Sequence, residues 1–565
     1  MNIIHQIAEL ENKHNIKLRP QQVNIIKYVL YQWLGKGQKN VFVEAPTGSG
    51  KSIIAFFISE IMNKLHKTGY ILTSDVSLQN QYATDAKKLK FYRPDVKGVD
   101  NYTCSQNQKP YSQGTCKIKH LDYVRQRNLK CYDECPYIVA RKAASDSDSC
   151  ILNYNYYMIQ HNTVRKTMSR NAPFQIREFT IYDEAHKLID IVQDMYAPVL
   201  NKALLDHIET FEYELNKNDH ILGDYVSFLP RFYDIFTKLR LCGDKRTTMM
   251  YFNKLLEDLD WYKTNIKEPI EQYIEDQFEF ENMSVFEILY LTDYIKFLDD
   301  FHEKIIDYVD LINNTELDTM FINNQETFTK YNFINEHHLI KKNLLDNSNL
   351  NLFMSATLGE EFPQMLGCKD YVYKSLDSDF NFENSPIYVY KDYYVNYGNK
   401  DNLFPQMLKD LDLIISSKHP NERGLIHTSS YIVTKFIKEN STEAKRLLDY
   451  ENSKEKELAI ETLKISNLIL MGPSLVEGID LPDDISRFQI IFKIPYPSLA
   501  DRFIKYKFDK NKEWYNWMSR IKIQQALGRS IRHKEDYAIS YVLDSNIIKM
   551  MNKFPNYIKS RIKIL

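Results

Sequence analysis

Val41-Phe-Val-Glu-Ala-Pro-Thr-Gly-Ser-Gly-Lys-Ser52 is the stretch on which the fold turns. A short apolar run rich in β-formers enters a Gly-rich turn, and from Ile53 the chain continues with helical spacing. A strand that feeds such a turn into a helix is the opening unit of a parallel α/β sheet. Gly48 and Gly50 let backbone N–H groups close around an anion, and the helix N-terminus adds its positive dipole end. Thr47 and Ser49 line the same loop, Lys51 is placed for the β- and γ-phosphates of ATP, and the Ser52 hydroxyl for Mg²⁺. Taken alone, with Ala45 at the first position, the run would also suit a chance Gly-rich turn.

Its companions remove that ambiguity. Apolar runs followed by helical patterns recur at Val41–Glu44, Tyr70–Thr73 and Phe179–Tyr182, and again at Gly424–His427, Asn467–Met471, Arg487–Phe492 and Ile539–Leu543. Two doubly wound sheets are predicted. In Ile181-Tyr-Asp-Glu-Ala-His186 a strand delivers two carboxylates to its C-terminal end, where open α/β sheets bind ligands. Asp183 suits the Mg²⁺, and Glu184 suits a water that it orients or deprotonates. In Gln525-Ala-Leu-Gly-Arg-Ser-Ile-Arg532, Arg529 and Arg532 share a helical face and can converge on a transferring phosphoryl group.

The 565 residues exceed one hydrophobic core, and 44% apolar with 26% charged residues is ordinary for a globular chain. A net charge of -2 excludes a generally basic nucleic-acid binder. The charge is unevenly spread: residues 501–565 carry 15 Lys and Arg against 6 Asp and Glu, whereas residues 190–345 carry 15 against 30. The latter shows apolar residues at spacings of three and four, as in Met283–Val309, which predicts an all-helical insertion. No basic leader and no run of about 18 uncharged apolar residues occur, so no membrane contact and a cytoplasmic location are expected.

Five of seven cysteines, Cys104, Cys116, Cys131, Cys135 and Cys150, fall within 47 residues, and such clustering points to metal. Cys242 and Cys368 read as buried small residues.

In order and spacing these elements resemble superfamily 2 helicases of the DinG and XPD branch, along nearly the whole chain. The resemblance rests also on Arg19-Pro-Gln-Gln22, Thr73-Ser-Asp-Val-Ser-Leu-Gln79, Ser355-Ala-Thr357, Thr428-Ser-Ser430, Gly472 to Asp480, Lys97 to Cys104, Cys135 to Arg141, Asn153 and Ile494-Pro-Tyr-Pro497. It implies two RecA-like motor domains, the first from residues 1–98, 150–189 and 346–385 and the second from 386–565. A cluster insertion at 99–149 and a helical arch at 190–345 complete the layout. It further implies that Arg19 and Gln22 read the adenine, that Gly478 and Asp480 contact the nucleotide, and that Gln525 serves catalysis with the two arginines. Cys104, Cys116, Cys131 and Cys135 become the ligands of a 4Fe–4S cluster, while zinc suits the same four thiols by spacing alone. Cys150 matches a buried strand position.

The implied activity is ATP-dependent unwinding of DNA, with 5′ to 3′ movement on a single strand. Single-stranded and forked duplex DNA are the expected partners of a monomer whose acidic arch is open to other proteins. An ATP-switched protein that clears or remodels nucleic acid without unwinding is the alternative. Tyr154, where the family usually has His, and Ser545, where a basic residue is common, depart from its pattern.

Overall fold

The computed structural model describes residues 2–118, 129–168, 172–206, 209–210, 228–268, 271–272, 285–314, 320–377, 384–475, 483–528 and 536–565. Two parallel sheets organise the chain. The first contains β1 (Asn40–Glu44), β2 (Gly69–Thr73), β3 (Ser149–Asn153), β4 (Arg177–Asp183), β8 (Ser348–Ser355) and β9 (Val372–Ser375), in the order β3-β2-β4-β8-β1-β9. All residues of β1, β2 and β3 are buried, as expected when crossover helices cover both faces of a parallel sheet.

β8 lies between β4 and β1, although more than 150 residues separate it from β4 in sequence. Its register sets Ser355 beside Glu44 and Met354 beside Asp183. Three chain segments therefore end at one edge of the sheet.

The second sheet has the order β12-β13-β11-β14-β15-β10-β16. Its members are β10 (Ile387–Val389), β11 (Gly424–His427), β12 (Leu447–Leu448), β13 (Ile469–Gly472), β14 (Phe488–Ile491), β15 (Ile539–Val542) and β16 (Ile562–Ile564), all parallel. The predicted doubly wound pair is present in this form.

The insertion between β4 and β8 requires a correction, because it is not all-helical. Its helices include Phe228–Leu241, Lys245–Tyr262 and Val285–Asn313, but β5 (Val199–Asn201), β7 (Phe328–Phe333) and β6 (Met320–Asn324) form an antiparallel sheet in the order β5-β7-β6. In Phe328-Thr-Lys-Tyr-Asn-Phe333 the residues Thr329, Tyr331 and Phe333 are buried at alternate positions, with Asn332 buried as well, inside a segment otherwise patterned for helix. The Tyr331 hydroxyl donates to the Leu239 carbonyl at 2.8 Å and ties this sheet to the helices. β5 pairs with a strand more than 120 residues away, and no local pattern announces that partner.

The helix Lys512–Leu527 belongs to two cores. Trp514, Tyr515, Trp517 and Ile521 pack with the first motor and the insertion, whereas Ile523, Ala526 and Leu527 pack with the second motor. The Trp517 indole N–H donates to the Leu358 carbonyl at 2.6 Å and the ring stacks on Phe362. Arg520 makes a two-pronged contact with the Glu361 carboxylate, at 2.8 and 3.2 Å. Among the described residues, no helix is long and apolar enough to cross a membrane.

Burial by itself would raise Glu361, but hydrogen bonds and charge from Arg520, with help from Lys553, hold its carboxyl down at about 2. Its contribution is full above the ordinary carboxylate value of 4.5 and is lost as pH falls through the folded value. Glu361→Gln is therefore expected to cost about 2 kcal/mol at pH 7, where a largely buried cation loses its partner. The cost is read from denaturant melts, and the gap from wild type should narrow as pH is lowered from 5 towards 3.

Candidate nucleotide site and thiol cage

Gly50 caps the helix Lys51–Lys64 at φ 77°, and Gly48 lies at φ 75°. Both angles fall in the left-handed region that favours glycine. A Cβ at Gly50 would come within 2.4 Å of Gln22 Nε2, so a side chain there would displace the amide that holds the Ser49 carbonyl.

Arg19 and Gln22 act on this loop directly. The Gln22 amide donates to the Ser49 carbonyl at 2.9 Å, the Arg19 guanidinium donates to the Gly48 carbonyl at 2.6 Å, and Gln22 Oε1 accepts from the Arg19 backbone N–H. Two residues expected at the adenine thus clamp the phosphate loop from behind. Thr47 Oγ1 donates to the Gly528 carbonyl at 3.4 Å, across the boundary between the motors. Ser49 Oγ is buried with no hydrogen-bond partner among the described residues.

β4 ends in Asp183, and Glu184 follows at φ 52°, a left-handed conformation uncommon for a non-glycine residue and found where function holds it. Lys51 Nζ lies 3.3 Å from Glu184 Oε1. Burial alone would raise Glu184, but Lys51, by its charge and its hydrogen bond, outweighs burial and holds the carboxyl below its ordinary value. Asp183 moves the other way: burial pushes it up, neighbouring Glu184 adds to the rise, and Lys51 opposes both. A carboxylate so disfavoured needs a cation beside it.

Among the described residues Asp183 Oδ1 is buried without a partner, while Oδ2 accepts from the Tyr82 hydroxyl at 2.8 Å. The Tyr154 hydroxyl donates to the Asp183 carbonyl, so the residue at the usual histidine position braces the strand end. Ser52 Oγ donates to Asp85 Oδ2 at 2.9 Å. An orphaned carboxylate oxygen, an ammonium and the mouth of a helix form a donor set that suits a polyphosphate with a hard divalent cation.

From Glu184 a chain of contacts crosses to the second motor. Ser355 Oγ donates to Glu184 Oε2 at 3.2 Å and lies 2.8 Å from His186 Nδ1. His186 Nε2 lies 2.7 Å from the Gln525 amide nitrogen, which also reaches Thr357 Oγ1 at 3.3 Å. An amide NH₂ can only donate, so Nε2 accepts and Nδ1 carries the proton towards Ser355. Gln524 is seated beside this relay, with its amide on Glu44 Oε1 and the Ala356 carbonyl, both at 2.9 Å. Gln525 thus meets the relay through His186 and Thr357. Arg529, Arg532, Gly478 and Asp480 lie outside the described residues.

Sequence patterns assigned no task to His186, Gln524, Tyr82 or Asp85. The signals available were the place of His186 two residues after Glu184 in the Ile181–His186 run, the adjacent pair Gln524-Gln525, and the spacing of three between Tyr82 and Asp85.

Cys104, Cys116, Cys131 and Cys135 line one cavity of about 30 Å³, walled by Tyr111, Leu129 and Ile138. Burial would raise the Cys104 thiol, but N–H groups of Asn107, Gln106 and Thr115 point at it and bring it below the ordinary value, as a thiolate ligand requires. Cys135 caps the helix Pro136–Asp146. Cys150 lies in β3, wholly buried, with the Arg177 guanidinium 3.6 Å from its sulfur. Cys368 is buried, with its thiol pushed up to about 12. Cys242 departs from the expectation of burial: it is half-buried and its thiol donates to the Asp244 carbonyl. Among the described residues, no three His, Cys, Asp or Glu side chains form a ready site for a single metal ion.

Residues 414–561 match the helicase C-terminal domain family, and residues 15–210 match the res subunit of type III restriction enzymes. The chain is 22% identical to the ATP-dependent DNA helicase CHL1 of Candida albicans, over 82% of this chain and 64% of that one. It is 21% identical to a probable ATP-dependent helicase of Methanocaldococcus jannaschii, over 97% and 94%. It spans 64% and 59% of the first two yeast relatives. Among solved structures, an XPD helicase superposes with a TM-score of 0.63 at 16% identity, and Xpd4 of S. tokodaii with 0.60 at 13%. Each covers 97% of this chain and 100% of the other, and this likeness is one of fold.

His186→Ala should cut the relay without touching the phosphate loop. Turnover of ATP is expected to fall about 100-fold, the scale of loss when a reacting group is misplaced by an ångström. ADP affinity should stay at the wild-type value. A kcat within two-fold of wild type would show that the relay does not serve Glu184.

Proposed function

We propose that this chain, which belongs with the XPD and DinG type of superfamily 2 helicases, hydrolyses ATP between its two motors and uses the cycle to move along single-stranded DNA, 5′ to 3′, and to open duplexes. The observation that carries this reading is the contact chain Lys51–Glu184–Ser355–His186–Gln525, which joins the phosphate loop to a helix of the second motor. Glu184, held ionised by Lys51, is suited to orient and deprotonate the attacking water. Lys51 and the loop amides hold the phosphates, while Ser52 and Asp183 hold the cation. Bound Mg²⁺ supplies charge neutralisation at the phosphate oxygens. Arg529 and Arg532, just beyond the helix Lys512–Leu527, are assigned to the leaving phosphoryl group. Hydrolysis removes the γ-phosphate charge assigned to Arg529 and Arg532 and so weakens the closed arrangement of the motors, and alternate closing and opening steps the strand.

DNA as the substrate is supported by the helicase names of the relatives and by the basic balance of residues 501–565. The acidic insertion is the surface offered to protein partners.

The four lining cysteines are assigned to a 4Fe–4S cluster. What supports the cluster is the resemblance to iron–sulfur helicases together with four thiols gathered on one cavity; a single tetrahedral zinc is the alternative that the same donor set also suits. Bound there, the cluster contributes rigidity to the wedge that this insertion forms beside the first motor.

Glu184→Gln should retain ATP binding and lose turnover by about 100-fold or more, the scale of a lost general base. Lys51→Ala should lose turnover as well. A forked-duplex assay beside a single-strand ATPase assay tests the coupling: strand-stimulated hydrolysis without unwinding would favour the remodelling alternative. Protein purified without oxygen should absorb broadly near 400 nm and carry about four irons per chain. Cys104→Ser and Cys135→Ser should lose the iron, whereas Cys150→Ser should keep it. Stoichiometric zinc in place of iron would overturn the assignment.

A further inference from the structure

Ser52 and Asp183, the two residues assigned to the cation, are each held by a side chain from one helix, Val76–Lys88. That helix follows β2 and contributes nothing to the phosphate loop. Tyr82 and Asp85 stand three residues apart and so share a face of it. Tyr82 is 2% exposed and its ring meets Phe56 of the loop helix edge-on, at 5.8 Å. Its hydroxyl donates to Asp183 Oδ2 at 2.8 Å. One step along the same face, Asp85 Oδ2 accepts the Ser52 hydroxyl at 2.9 Å.

The direction of each proton matters more than the bonds themselves. A serine that ligates a cation through oxygen must place its hydrogen elsewhere, and here the hydrogen goes to Asp85. A carboxylate with one oxygen occupied by a phenol offers the other, and Asp183 Oδ1 is buried with no hydrogen-bond partner among the described residues. Each contact therefore selects which lone pairs of a ligand remain open. Two such selections from one rigid helix also fix the ligands relative to one another.

We propose that Tyr82 and Asp85 are the positioning residues of the Mg²⁺ site, Tyr82 presenting Asp183 Oδ1 and Asp85 presenting the Ser52 oxygen. The inference rests on the assignment of Ser52 and Asp183 to Mg·ATP made above. It goes beyond that assignment in naming what orients the ligands. Partners of this kind are worth roughly 10–100-fold in metal affinity where they have been removed from other sites.

The test is a titration of the full chain with a fluorescent ADP analogue, in EDTA and over a range of Mg²⁺ concentrations. It compares wild type with Tyr82→Phe, Asp85→Ala and Asp85→Asn. Wild type should bind more tightly as Mg²⁺ is added. Tyr82→Phe and Asp85→Ala should bind ADP in EDTA as wild type does, yet need about 10-fold more Mg²⁺ for half of the tightening. Asp85→Asn keeps an oxygen able to accept the Ser52 hydrogen and should restore most of the wild-type half-point. Because Tyr82 is buried, the half-exposed Asp85 keeps the test readable if Tyr82→Phe folds poorly. An unchanged Mg²⁺ half-point in Asp85→Ala would overturn the proposal, and so would an equal loss of affinity in EDTA, the mark of a merely structural tie. If Asp85→Asn behaved as Asp85→Ala does, charge rather than hydrogen-bond acceptance would be the operative property, against the proposal. A wild type indifferent to Mg²⁺ would instead remove the ligand assignment itself, and the two failures are thereby told apart.

Discussion

Parallel pairing of β8 between β1 and β4 is the constraint on which the rest depends. With Ser355 in register with Glu44, and Met354 with Asp183, the phosphate loop, the two acids and the Ser355-Ala-Thr357 turn are forced to one edge of one sheet. Shifting a strand by one residue would turn each of these side chains to the opposite face. The near-complete burial of the strands makes such a slip costly, because every apolar contact on both faces would be lost together.

On that edge the second motor finds its seat. The helix Lys512–Leu527 is packed at one end among first-motor residues and at the other among second-motor residues, so any motion between motors must break contacts made by this element. Its apolar contacts, such as Trp517 on Phe362, are non-directional. Its polar contacts are not: Gln524, Gln525 and Arg520 each require a particular partner geometry. The result is a joint that holds in one arrangement and registers the state of the carboxylates beneath it.

The strand β4 extends the same logic away from the nucleotide. Arg177, at its beginning, is buried and donates to the Gly69, Ala144 and Ser145 carbonyls. The latter two close the helix whose first turn is capped by Cys135. One strand therefore delivers the Asp183 and Glu184 carboxylates at one end and, at the other, carries the anchor of the helix that leaves the thiol cage. The cost of burying a guanidinium is offset by the three carbonyls and the Cys150 sulfur that accept from it and by the Tyr70 ring beneath it.

Much of this was legible in the amino-acid order. The strand–turn–helix at Val41–Ser52, the carboxylates after Phe179–Tyr182, the seven apolar runs and the clustering of five cysteines are local patterns. They are governed by sterics and polarity within a few residues, which the order of side chains states directly. What it left open is each contact made across the fold. Gln22 was expected on a base and clamps the Ser49 carbonyl; Ser52 was expected on a cation alone and also hands its hydrogen to Asp85. His186 and Gln525, 339 positions apart, share a hydrogen bond, and β5 completes a sheet within an insertion patterned as helix. Tertiary structure alone decided these, because a buried polar atom takes whichever partner the packed backbone brings within about 3 Å, and that choice depends on register and crossover geometry rather than on neighbours in the chain.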